Sequence, residues 1–126
     1  MNTTKVGNGK FYHGKYTDAE ATRGWFVGSF FPDGDKRKTD HVEMFYHEHK
    51  PGDIQKPHYH EKKIELLIIL EGRARYRIND NEAMLNTGDF LFVDVNNVIS
   101  GEFLAPTKFF AIHSPSISTD KVNING

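Results

Sequence analysis

The chain has 126 residues, 37% of them hydrophobic and 26% charged, with a formal net charge of −1 and no cysteine; that length supports one packed core, so a single domain over residues 1–126 is expected. The balanced charge speaks against nucleic-acid binding, which leaves a basic excess or stripe, and the absence of cysteine removes disulfides and thiolate ligands and fits a reducing compartment. No apolar stretch approaches the roughly 20 residues of a membrane span, and Met1 to Gly9 lacks the apolar region of a signal peptide, so a cytoplasmic protein without membrane contact is expected.

Residues before about Lys10 read as a loose tail. Tyr16 to Thr22 is the one stretch with helical character, a turn or two with Thr17 or Asp18 as N-cap. From Trp25 onward, short runs rich in aromatic and β-branched residues alternate with turn signals, the pattern of an all-β domain with its core over about 25–115. Trp25 to Phe31 is the first run, closed by Pro32-Asp33-Gly34-Asp35. The adjacent Lys36-Arg37-Lys38, the sole basic run, reads as a solvated turn. In the second run, His41 to His49, one face carries His41, Glu43, Phe45, His47 and His49. Val42, Met44 and Tyr46 make the more apolar set, so the histidine face is expected to look outward; turned inward, Glu43 and His47 would line the interior.

Ile64 to Leu70 is apolar on both faces. Glu65, Leu67 and Ile69 are assigned to the interior, leaving Ile64, Leu66, Ile68 and Leu70 to be covered by a second copy in a homodimer or by an N-terminal segment with Phe11, Tyr12 and Tyr16. Arg73 to Ile78 alternates, its three arginines toward water and Ala74, Tyr76 and Ile78 inward. Phe90 to Val95 and Lys108 to His113 complete the predicted strands. In the last, Phe110 and Ile112 are taken as core and His113 as a rim residue. A second loose tail is expected after about Ser116.

The chemistry concentrates between residues 52 and 72. His58 and His60 stand one residue apart, on one face of a strand, and can grip one ion together. Glu65 sits in an apolar run, where an unpaired carboxylate costs several kcal/mol unless it meets a cation or hydrogen-bond donors. Imidazole and carboxylate donors suit a divalent transition metal: zinc, iron, nickel, copper or manganese.

Gly52, His58, His60, Glu65 and Gly72, with Pro57 ahead of the first histidine, have the identities and spacing of the first motif of the cupin family, which this chain resembles. The resemblance implies a jelly-roll barrel, also called a double-stranded β-helix, with a metal held by His58, His60 and Glu65, and commonly a dimer. The family's second motif opens at Gly88-Asp89, but Asp94, Asn96 and Ile99 stand where it has a proline, a glycine and its fourth ligand, a histidine. Two histidines and a carboxylate with open positions resemble the facial triad of non-haem iron oxygenases. His47 and His113 are alternative sources of a fourth ligand.

Three functional readings follow. The first is a metal-dependent enzyme acting on a polar small molecule, an oxygenase or isomerase of sugars or oxo-acids, with Glu43, His47, Tyr76 or His113 moving protons. The second is a non-catalytic ligand-binding or sensor cupin. The third is a metal-free sugar-nucleotide epimerase or isomerase.

Overall fold

In the computed structural model, which describes residues 6–118 and 120–124, ten strands follow a 3₁₀ segment at Tyr16–Thr22. They are β1 (Trp25–Val27), β2 (Glu43–His49), β3 (Ile54–His60), β4 (Ile64–Glu71), β5 (Arg73–Ile78), β6 (Asn81–Asn86), β7 (Phe90–Val93), β8 (Ile99–Phe103), β9 (Thr107–Ser114) and β10 (Lys121–Asn123). Two five-stranded antiparallel sheets form, one in the order β1-β2-β9-β4-β7 and the other β10-β3-β8-β5-β6. Among the described residues no helix is long and apolar enough to cross a membrane.

Alternation decides what each strand contributes to the space between the sheets. In β4, Glu65, Leu67 and Ile69 are buried while the residues between them are not, and in β5 Ala74 and Tyr76 are buried while the arginines are exposed. Leu67, Ile69 and Phe109 from one sheet meet Tyr76, Ile99 and Phe103 from the other in one continuous core. Removing such apolar area from water contributes about 1.5–3 kcal/mol per large side chain.

Two glycines of the motif have local reasons to be glycine. Gly52 has φ +92°, and Gly72, at the tight β4–β5 junction, has φ +119°, a region that side chains with a Cβ disfavour. A Cβ on Gly72 would also lie 2.6 Å from the carbonyl oxygen of Pro106.

Several expectations are corrected. The face of β2 bearing Glu43 and Phe45 looks inward, not outward, because β2 pairs with β9 in the middle of a sheet whose outer side Tyr16 covers, with its ring 4.8 Å from Tyr46 and 4.7 Å from Phe110. The same register reverses β9: Phe109, Ala111 and His113 are buried, and Phe110 and Ile112 face the outer side. The described residues after Ser116 are not a loose tail, since β10 pairs with β3 from His58 to His60 and Asp120 is buried. The N-terminal tail falls partly on residues 1–5, outside the described residues. Strands β6 and β8 lie where no run was assigned. Asn81, Glu82 and Asn86 make β6 largely polar, with Met84 exposed among them, and β8 contains Gly101, whose lack of a Cβ makes room for the ring of Tyr76.

Candidate metal centre and its cavity

β3 ends in Pro57-His58-Tyr59-His60, and strand alternation turns both histidines inward, 6% and 7% exposed. The turn into β4 is tied by Asp120, whose carboxylate accepts the backbone N–H groups of Glu61, Lys62 and Lys63 at 3.2, 2.9 and 2.8 Å. This places Glu65, the second residue of β4, opposite the two histidines. One donor atom from each of His58, His60 and Glu65 lies within 4.8 Å of the others.

Protonation states follow from the neighbours. His58 Nδ1 is 2.8 Å from the carbonyl oxygen of Lys56, which can only accept, so Nδ1 carries the hydrogen and Nε2 keeps its lone pair. Burial holds His60 below the usual imidazole pKa despite the opposing pull of Glu65, which favours the neutral, ligating form. Burial alone would raise the pKa of Glu65, but the imidazoles around it, His113 foremost, outweigh it and keep the carboxylate ionised. His60 Nδ1, Glu65 Oε1 and His113 Nε2 are buried with no hydrogen-bond partner. Orphaned buried polar atoms are rare and destabilising. A cation at the centre relieves Glu65 Oε1 and His113 Nε2; His60 turns Nδ1 toward Asp120 Oδ2 at 3.8 Å and offers Nε2, 3.9 Å from Glu65 Oε1, to an ion, and this donor set fits a divalent transition metal.

The centre opens into a cavity of about 1070 Å³, whose lining includes Glu43, Lys63, His113 and Gln55 beside the three donors. Lys63 Nζ lies 3.1 Å from Glu43 Oε1, and the other oxygen of Glu43 accepts the Nδ1–H of His113 at 3.2 Å. Burial opposes the charge on Glu43, but bonding to His113 and Lys63 dominates and lowers its pKa. His113 is also pushed down by burial, and its two carboxylate neighbours raise it above the usual imidazole value. Trp25 and Phe30 give the cavity an aromatic wall, and Trp25 packs on Phe45 at 4.4 Å.

Of the residues singled out in the sequence, His58, His60, Glu65, Glu43 and His113 come together here. His47 does not. It sits roughly 13 Å along β2 from Glu43, its Nε2–H bonded to the carbonyl oxygen of Arg23 at 2.8 Å and its pKa lowered by burial. Tyr76 is fully buried in the core and does not line the cavity, though its hydroxyl donates to Oε1 of Gln55, which does, at 2.9 Å; burial raises its pKa far above that of a free phenol. Sequence reasoning missed Lys63 and Asp120. Lys63 shares the parity of Glu65 and Leu67 and was legible on that ground, whereas Asp120 carries no local signal.

The family described as Cupin domain matches residues 45–102, which hold the three candidate ligands. The chain has the cupin fold, and the family match covers its central part. No curated protein matches it. Among solved structures this cupin is similar to KdgF from Halomonas sp., at 18% identity and a TM-score of 0.60 over 63% of this chain and 74% of that one. An uncharacterised conserved protein with a double-stranded β-helix domain from Klebsiella pneumoniae gives 16% identity and a TM-score of 0.63 over 70% of this cupin and 78% of its own length. Oxalate decarboxylase from Bacillus subtilis, a protein with Mn(II) centres, gives 22% and 0.62 over 68% of this cupin, which spans 24% of that longer chain.

Proposed function

We propose that this cupin binds a divalent transition metal through His58, His60 and Glu65 and holds a polar, acid-bearing small molecule beside it, acting as an oxygenase or isomerase on an oxo-acid or sugar acid. The observation that carries the reading is the convergence of the buried donors His58, His60 and Glu65 beside a cavity, with Glu65 Oε1 left without a hydrogen-bond partner. When bound, the ion supplies a Lewis acid that polarises the substrate's oxygens. The chain supplies the rest. Lys63, Lys56 and Lys121 line the cavity and favour an anionic ligand, while Gln55 offers an amide held by Tyr76. Glu43, hydrogen-bonded to His113 and Lys63 at the cavity wall, is placed to hold or move a proton. Trp25 and Phe30 add an apolar, aromatic wall to the cavity. A fold alone does not specify chemistry; a neighbour of the same fold named for oxalate, a small dicarboxylate, and bearing Mn(II), is consistent with the reading.

The test is metal analysis of protein purified without an affinity tag, followed by calorimetric titration of the Mn2+-loaded protein with oxalate and with pyruvate. Stoichiometric metal and metal-dependent binding of either acid support the reading. Failure to take up Mn2+ or Zn2+ at one equivalent, or acid binding that is indifferent to metal, refutes it.

We also propose a homodimer. The N-terminal segment covers the outer face near Phe110, but Phe90 and Phe92 on β7 remain 68% and 52% exposed beside Leu66 and Ile68 of β4. A contiguous apolar face at a sheet edge is what a second copy covers.

A further inference from the structure

β8 cannot supply the fourth ligand that the cupin pattern places there. Ile99 stands opposite His58 in the β3–β8 register, is 1% exposed, and belongs to the apolar core. On the other sheet, β9 pairs with β4 so that His113 lies opposite Glu65, and the two residues present their side chains on the same inward face. Resting on the metal-binding reading above, we infer that His113 is the fourth protein ligand of the centre, delivered from β9 in place of the histidine absent from β8.

Three observations support it. His113 Nε2 is buried without a hydrogen-bond partner, 3.4 Å from Glu65 Oε2, a separation normal for two atoms sharing one ion. The ring of His113 is 5.2 Å from that of His60, close to the 5.4 Å between His58 and His60, which already share the candidate centre. Finally, the Nδ1–H of His113 is committed to Glu43, so in the neutral, ligating form of the ring the Nε2 lone pair points toward Glu65. Two lone pairs facing each other in a buried site repel unless a cation lies between them.

Glu43 is itself anchored by Lys63 at 3.1 Å and by the backbone N–H of Ile117 at 3.2 Å, the supporting carboxylate that metal-bound histidines usually have. The competing arrangement is a doubly protonated His113 bridging two carboxylates as a structural ion pair. It would bring Nε2–H into hydrogen-bonding alignment with Glu65, and that alignment is missing although the Glu43 side has it. With His113 the donors are divided evenly: His58 and His60 come from β3 in one sheet, Glu65 and His113 from β4 and β9 in the other. The ion then ties the two sheets together at the cavity mouth.

Full-length protein stripped with chelator and reloaded tests this. Pulsed EPR of the Cu2+ form counts coordinated imidazoles, and chelator competition gives Zn2+ affinity, for wild type, His113→Gln and His60→Ala. The inference expects three imidazoles in wild type and two in His113→Gln, with Zn2+ affinity falling at least as far as the roughly 10–100-fold typical of losing an outer partner. An unchanged imidazole count in folded His113→Gln overturns it, even if affinity drops, because a positioning role would do that. Wild type that binds neither ion, or His60→Ala that loses nothing, removes the metal-binding reading and this inference together. Should His113→Gln fail to fold, histidine 15N spectra of Zn2+-loaded wild type decide: three metal-shifted ring nitrogens support the inference and two overturn it.

Discussion

Lys63→Met removes the ammonium that neutralises Glu43, and it is expected to destabilise the metal-free protein by about 2–3 kcal/mol. The pair is 3.1 Å apart with side-chain exposures of 7% and 6%, so surface screening is weak. Coulomb's law at an effective dielectric of about 20 gives roughly 5 kcal/mol for that separation. Breaking a buried pair from one side typically costs about 3–5 kcal/mol. A cost at or below the bottom of that range is expected because both groups line the cavity, where water reaches them, and because Glu43 keeps His113 and the N–H of Ile117 as partners. The assay is urea unfolding in excess chelator, so that metal linkage plays no part, run as a double-mutant cycle with Glu43→Gln. Methionine keeps most of the volume of lysine, which confines the change to charge and hydrogen bonding. The cycle should give a coupling of about 1.5–3 kcal/mol, since removing both charges leaves neither stranded. Additivity within about 0.5 kcal/mol would show that the two groups do not stabilise each other and would refute the reasoning.

The double variant His58→Ala/His60→Ala should lose stoichiometric metal and, with it, the stabilisation of about 2.7 kcal/mol that wild type gains at a metal concentration 100 times Kd; equal thermal shifts in both proteins would contradict this. Asp120→Ala should free the backbone N–H groups of the β3–β4 turn and weaken metal binding by about 10-fold through His60, whose Nδ1 lies 3.8 Å from that carboxylate, as chelator competition would read. Gly72→Ala forces a Cβ toward Pro106 at positive φ and should destabilise by about 2 kcal/mol or more in urea, with metal stoichiometry retained. Phe90→Glu with Phe92→Lys should shift a dimer to monomer in sedimentation without changing metal uptake; a wild type already monomeric at tens of micromolar rules the dimer out.

Local spacing determined much of this protein. Strand alternation is a property of consecutive residues, so the pairing of His58 with His60, the inward set Glu65, Leu67 and Ile69, and the outward arginines of β5 were all legible from the chain. The motif at residues 52 to 72 carried the fold for the same reason, since its glycines serve turns and its ligands sit on two consecutive strands joined by a short turn. What remained hidden depends on register between strands distant in sequence. The inward face of β2 could not be told from the outward one, because the choice turned on where β9 pairs and on Tyr16 reaching across the outer side to Tyr46 and Phe110. His113 read as a rim residue until β9 was aligned with β4, which sets it against Glu65. Asp120 has no apolar pattern around it and acquires its role only when β10 folds back on β3. Alternation says which residues share a side; only the hydrogen-bonded register and the packing of one sheet on the other decide which side is in, and so which distant donors meet.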